Sequence, residues 1–169
     1  MRLHFVDQNQ DVVAALGRAF SSFPEVTVSF GDILDVAEVS VVSPANSYGF
    51  MDGGIDAVYR RHFGQQIEDK VRAAVAARPE GYLPLGTSLV IPTGNNRIPY
   101  MIVAPTMLMP EAVSAFNAAR ALRAVIRAQA AHASLLTDVY CPGLCTGVGQ
   151  VEPDEAAAAM AVAYRESKK

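Results

Sequence analysis

Two glycine-bearing loops and one acid offer this chain its chemistry. The run Val41-Val42-Ser43-Pro44-Ala45-Asn46-Ser47-Tyr48-Gly49-Phe50-Met51-Asp52-Gly53-Gly54-Ile55-Asp56 opens as a β-branched strand end. It breaks into Pro, Asn, Ser and Gly and restarts as a helix near Ile55. Strand, glycine-rich loop, helix is the order that aims backbone N–H groups and the positive end of a helix at an anion. A second such loop, Pro142-Gly143-Leu144-Cys145-Thr146-Gly147-Val148-Gly149, again follows a strand-like run and precedes a helix. Glycine lets phosphate oxygens come close to the backbone, and two loops suit two phosphates better than one. A Gly-Gly pair taken alone is most often only a turn. Asp32, in Gly31-Asp32-Ile33-Leu34, is the third piece. A carboxylate at a strand end can accept from an exocyclic amine such as that of adenine, or it can cap its own turn.

The elements that must carry these loops alternate along the chain. Strands are expected at Leu3–Val6, Val26–Phe30, Val39–Val42, Thr87–Pro92, Tyr100–Ala104 and Leu135–Tyr140. Asn9 or Asp11 can cap a first helix whose stripe is Val12, Val13, Leu16, Ala19 and Phe20. A helix starting near Gly53 should reach Phe63 and stop at Gly64, with another over Gln65–Ala77. Thr93-Gly94-Asn95-Asn96-Arg97 has hairpin-turn composition and implies one antiparallel pair. The longest helix is expected over Glu111–Ala133, with Val113, Phe116, Ala119, Leu122, Val125 and Ile126 as its apolar stripe. Pro153-Asp154-Glu155 opens a last helix with acids in its first turn. Alternation with one inserted hairpin argues an α/β domain with a mixed sheet covered on both faces. In such sheets ligands collect at the carboxyl ends of the strands.

Length and composition narrow the class. A chain of 169 residues suits one domain, 1–169, and 51% apolar residues suffice for a full core. A net charge of −3 without a basic stripe argues against general nucleic-acid binding. No apolar run approaches the ~20 residues that span a bilayer, so no membrane partner is expected. The first seven residues are charged too soon for a secretory signal, so a soluble cytoplasmic protein is expected. Cys141 and Cys145 make at most half a zinc site and read as small buried thiols. His4, His62 and His132 lack ligand spacing. No metal and no cofactor is therefore expected. Met51 reads as packing under the neighbouring helix, while Tyr48 and Phe50 suit packing or ligand stacking equally.

Four segments in order resemble the motifs of the macrodomain family: Gly31-Asp32-Ile33, Pro44-Ala45-Asn46-Ser47, Gly53-Gly54-Ile55-Asp56 and Pro142 to Gly149. The resemblance covers essentially the whole chain and is specific jointly, through order and spacing. It implies a three-layer α/β/α domain, a mixed, mainly parallel six-stranded sheet and a cleft for ADP-ribose. By position, Asp32 would hold the adenine amine with Ile33 beside it. Gly53, Gly54 and Ile55 would line one side of the diphosphate, and Pro142, Gly143, Cys145, Thr146, Gly147, Val148 and Gly149 the other. Asn46 would contact the distal ribose. In members that cleave ADP-ribose from proteins, residues matching Asn46 and Asp56 orient the ribose and activate water. The implied partner is ADP-ribose, or a protein or metabolite that carries it.

Three departures from the family pattern bear on catalysis. Asp52 stands where hydrolytic members usually carry glycine, no aromatic follows Val148, and Ala104-Pro105-Thr106 replaces a His-Thr segment. Metal-independent hydrolysis of ADP-ribosyl groups, non-catalytic binding of ADP-ribose or a related nucleotide, and a ligand-free scaffold are the three functions left open.

Overall fold

A computed structural model describes residues 1–169. The strands are β1 (Arg2–Asp7), β2 (Val26–Phe30), β3 (Ser40–Ser43), β4 (Leu89–Pro92), β5 (Tyr100–Val103) and β6 (Asp138–Cys141). The helices are α1 (Gln10–Phe20), α2 (Ile33–Val36), α3 (Gly54–Phe63), α4 (Gln65–Ala76), α5 (Ala115–Ala131) and α6 (Pro153–Glu166). The six strands form one sheet in the order β2-β1-β6-β3-β5-β4, all parallel except the antiparallel β4–β5 pair. The Thr93–Arg97 turn closes that pair, as its composition predicts: Asn95 Oδ1 accepts the Arg97 and Ile98 amides at 2.9 Å each.

Side-chain alternation along the strands divides the core in two. Leu3 and Phe5 of β1, Val42 of β3, Ile102 of β5 and Val139 and Cys141 of β6 pack with α1, α5 and α6. Val6, Val41, Met101 and Val103 point the other way, onto α2, α3 and α4. A period of two along each strand serves both layers at once, which yields three layers, α/β/α. α6 packs against both α1 and α5, and its Ala156, Ala157, Ala161 and Ala163 are buried.

Several boundaries follow from local chemistry. Asn9 is the α1 N-cap, with its side chain accepting from the Asp11 and Val12 amides. Gly64 ends α3 at φ +89, a conformation that L side chains rarely adopt. Elsewhere tertiary contacts intervene. α5 begins at Ala115 and not at Glu111, because Val113 N bonds to Gly149 O and ties the 111–114 stretch to the second loop. Phe116 faces solvent rather than the core, and Ala118, Ala121, Leu122 and Val125 make the buried stripe. β6 begins at Asp138, since the Leu135 and Leu136 amides both close on His132 O.

Candidate functional site

Five parallel strands end on one edge of the sheet, and a cleft of about 630 Å³ runs across those ends. Asp7 ends β1, Gly31 and Asp32 follow β2, Pro44 and Asn46 follow β3, Thr106 and Met107 follow β5, and Pro142 follows β6; all line it. Strand spacing sets its length: the four steps from β2 to β5, at about 4.8 Å each, span roughly 19 Å.

The first loop is fixed by side chains rather than by regular structure. Asn46 Oδ1 accepts the Tyr48 and Phe50 amides at 3.1 and 3.3 Å, and its Nδ2 donates to Phe50 O at 3.0 Å. From α4, Glu68 Oε2 accepts the buried Met51 amide at 2.6 Å. Burial opposes ionisation of Glu68, but hydrogen bonds from Gln65 and the Met51 amide, with the Arg60 charge, hold its carboxyl below the usual value. Gly49, at φ +77, presses on α4: a Cβ there would lie 2.9 Å from Val71 Cγ1. The loop then delivers Gly53, Gly54 and Ile55 to the N-terminus of α3. The amides of Gly53, Gly54, Ile55 and Asp56 donate to no acceptor of the protein.

The second loop lines the same cleft. Its first residue after β6, Pro142, is followed by Gly143, whose amide donates to Asp7 Oδ2 at 2.9 Å. A Cβ on Gly143 would sit 2.6 Å from Val12 Cγ1 and 3.0 Å from Asp7 Oδ2, so glycine is required by close approach. Cys145 turns through φ +65. Cys145, Thr146, Gly147 and Val148 line the cleft, and their amides, like those at the start of α3, donate to no protein acceptor. Burial pushes the Cys145 thiol up to about 12, with the Thr106 hydroxyl opposing the shift. At neutral pH it is therefore a packed thiol and not a nucleophile.

Asp56 is the buried carboxyl of the site. Burial pushes it up to about 7, and the Ser43 hydroxyl, which donates to Asp56 Oδ1 at 2.6 Å, lowers it only in part. Beside it Tyr59 is fully buried and donates to Val42 O at 3.1 Å. At the other end Asp32 Oδ1 caps α2 by accepting the Leu34 amide at 2.9 Å, which leaves Oδ2 without a protein partner. The turn-capping reading of Asp32 is thus realised with one oxygen, and the other remains available to a ligand. Neither end holds three His, Cys, Asp or Glu side chains placed to bind a metal ion.

The family model described as Macro domain matches residues 42–160, which include both loops. The chain belongs to the Macro domain family. Relatives include an uncharacterized protein of Aquifex aeolicus, 36% identical over 137 residues, covering 80% of this chain and 78% of that one. Another, from Aeropyrum pernix, is 32% identical over 146 residues and covers 85% and 73%. Solved structures with the same fold include the macrodomain of Mycobacterium tuberculosis DarG, at TM-score 0.69 and 20% identity over 81% of this chain and 88% of that one. An Oceanobacillus iheyensis macrodomain with ADP aligns at TM-score 0.67 and 16% identity, over 82% and 75%. Thermosipho africanus DarTG in complex with ADP-ribose aligns at 0.68 and 12%, over 95% of this chain and 50% of that one.

In this macrodomain the residues singled out from sequence do converge. Asp32, Ile33, Asn46, Gly53, Gly54, Ile55, Asp56, Pro142, Gly143 and Cys145–Val148 all line the cleft. Gly149 does not: its carbonyl holds Val113, and a Cβ there would lie 2.7 Å from Cys145 O, so its place is structural. Asn46 lines the cleft yet spends both of its Oδ1 hydrogen bonds and one N–H on its own loop. Phe50 lines the cleft, Tyr48 does not, and Met51 is fully buried. Arg61, of the Arg60-Arg61 pair that reads from sequence as solvated helix charges or as a reach to a phosphate, lines it too, and Asp7, Gln8 and Asn9 line it but were not legible as site residues. The available signal for Asp7 was its position, an acid at the carboxyl end of a parallel strand.

No helix is long and apolar enough to cross a membrane.

Proposed function

We propose that this macrodomain binds ADP-ribose, with the adenine at the β2 end beside Asp32 and the distal ribose at the β3–β5 end. One observation carries the reading: two segments with unpartnered amides, Gly53–Asp56 and Cys145–Val148, both line the cleft. Such segments suit a diphosphate, since each amide can donate to an anionic oxygen and the α3 N-terminus adds about 0.3–1 kcal/mol. The acids of the lining oppose this less than their number suggests. Asp7 accepts two amides, from Asn9 and Gly143. Asp56 is about half protonated near neutral pH. The Oceanobacillus iheyensis structure with ADP and the Thermosipho africanus structure with ADP-ribose share the fold and support the ligand class.

The same reading extends to hydrolysis of an ADP-ribosyl bond on a protein or a small derivative. A carboxyl that titrates near 7 is matched to taking a proton from water at neutral pH. Asp56 would activate the water and Asn46, through its one remaining N–H, would orient the distal ribose. A non-catalytic reader is the second reading, favoured by the engagement of Asn46 in its own loop and by Asp52 at the cleft wall. Calorimetric titration with ADP-ribose tests binding, and absence of heat at millimolar ligand rejects both readings. Release of ADP-ribose from modified protein separates them: turnover that is lost in Asp56→Ala is expected for the hydrolase, and no turnover in the native chain leaves the reader.

A further inference from the structure

The two edges of the sheet are finished differently. β4 forms one edge. The Thr93 amide donates to Pro99 O at 2.9 Å, which sets the phase of the antiparallel ladder: Leu89 and Ile91 bond to β5, and Val90 and Pro92 face outward. Pro92 has no N–H, and its carbonyl accepts Lys70 Nζ at 3.0 Å. Within β4 only Val90 keeps an open amide and carbonyl.

β2, at the other edge, has no such device. Leu3 N donates to Glu25 O at 3.3 Å and Gly31 N to Asp7 O at 3.0 Å. With the register from Leu3↔Val26 to Asp7↔Phe30, these bonds turn the backbones of Glu25, Thr27, Ser29 and Gly31 toward β1. Val26, Val28 and Phe30 therefore face outward. The Val26 amide closes on Phe23 O, while the Val28 and Phe30 amides and all three carbonyls have no partner in the protein. The strand holds no charge and no proline, and Phe30 is 58% exposed. Sheets ordinarily blunt an exposed edge with such residues, and an open apolar edge is a template for another strand.

The pattern of β2 names the occupant. Val26-Thr27-Val28-Ser29-Phe30 reads apolar, hydroxyl, apolar, hydroxyl, apolar from either end. A strand that reads alike in both directions is complementary to itself under a two-fold axis. With the axis at Val28, Val26 stands opposite Phe30 of a second copy and Thr27 opposite Ser29, so all five residues are paired. The outward phase suits this register. Val28 and its counterpart exchange both hydrogen bonds, and each Phe30 amide donates to the Val26 carbonyl across the axis. Glu25 comes opposite Gly31 and is already held by Lys168 Nζ at 2.7 Å, so no like charges meet. An axis at Thr27 would set Pro24, which has no N–H, against Phe30. An axis at Ser29 would leave Val26 facing Asp32, beyond the strand.

We propose that the β2 edge is a self-association surface on which two copies of this chain pair antiparallel about Val28, joining their sheets into one. The contact is one short strand, smaller than the ~1,200–2,000 Å² of stable complexes, so the dimer is a weak one that forms at high concentration. It does not depend on what the cleft binds.

The test is sedimentation of the native chain, Phe30→Lys and Phe116→Lys from about 1 μM to about 1 mM. Phe116 is also 58% exposed and lies on α5, away from β2. The native chain should pass from monomer to dimer over that range. Phe30→Lys should weaken the dimer at least tenfold and Phe116→Lys less than twofold. Cysteine cross-linking reads the register independently. Thr27→Cys mixed with Ser29→Cys should form a disulfide-linked dimer under mild oxidation faster than either variant alone, since Cys141 and Cys145 are buried. A native chain that stays monomeric throughout, with the edge left to another polypeptide or to none, overturns the proposal. So does a dimer that Phe30→Lys leaves intact, or one that Phe116→Lys disperses equally. Faster cross-linking within either single variant overturns the axis at Val28.

Discussion

The Ser43 hydroxyl donates to Asp56 Oδ1 at 2.6 Å, and both residues are buried. One hydrogen bond does not offset the loss of solvent around the carboxyl, so Asp56 titrates at about 7 in the fold instead of near its ordinary value of 3.8. Between those two values the unfolded chain has released the proton and the folded chain retains it. The stabilising contribution is therefore complete below about pH 4 and declines as pH rises toward 7. Asp56→Asn keeps the shape and removes the titration. Relative to the native chain it should gain about 1–3 kcal/mol between pH 4 and pH 8, read from urea unfolding across that range. Parallel pH curves for the two proteins would show that Asp56 is not the titrating group.

Gly147 separates ligand binding from folding. It stands in the row of unpartnered amides, its φ is not in the left-handed region, and a Cβ there meets nothing within 4 Å. A valine should therefore be accepted by the protein and should fill the space that a diphosphate would take. Gly147→Val is expected to change stability by less than about 0.5 kcal/mol and to weaken ADP-ribose at least tenfold. Thermal unfolding with and without ligand reads both quantities in one experiment. Retained affinity would move the diphosphate away from the second loop.

Glu68 touches no residue of the second loop, yet it governs the first. Its Oε2 is the acceptor for the Met51 amide, and truncation leaves that buried N–H unsatisfied. Glu68→Ala should cost about 1–3 kcal/mol, while Glu68→Gln, which keeps an acceptor, should cost less. Because burial is outweighed by hydrogen bonds and by Arg60, the Glu68 contribution is present above the ordinary carboxylate value and is lost as pH falls. Both variants should also show faster amide exchange over residues 48–53, measured by hydrogen exchange. Unchanged exchange there would show that the clamp on α4 is dispensable.

What could be read from the sequence was mostly what is locally determined. Asn9 caps α1, Pro153 opens α6, Gly64 stops α3 and the Val26–Phe30 strand stands where its alternation places it. Each depends on a few neighbouring residues. The start of α5 was not legible, because it is set by the Val113–Gly149 hydrogen bond across the fold. Asp32 shows the same division within one side chain. Its cap on Leu34 follows from the Gly-Asp turn, whereas the exposure of Oδ2 to a cleft depends on where β1 and β6 lie. The loop glycines were legible as a group but not by role: Gly147 opens onto the cleft, and Gly143 and Gly149 are required by close packing.

Asp7 links the ends of β1 and β6. Its Oδ1 accepts the Asn9 amide and its Oδ2 the Gly143 amide, each at 2.9 Å. An asparagine has one acceptor oxygen, so either orientation of Asp7→Asn points an NH₂ at an N–H. The variant should lose about 1–3 kcal/mol from the broken bond and the unsatisfied donor. Gly143→Ala attacks the same junction from the other side, by driving a Cβ to 2.6 Å from Val12 Cγ1 and 3.0 Å from Asp7 Oδ2, and should cost a similar ~1–3 kcal/mol. If both act by displacing the second loop from β1, the double variant must lose less than the sum, since the contact can be broken only once. Chemical unfolding of the native chain, the two single variants and the double variant supplies the cycle. Strict additivity would mean that the two residues stabilise separate parts of the fold, and that the Asp7–Gly143 hydrogen bond does not anchor the second loop.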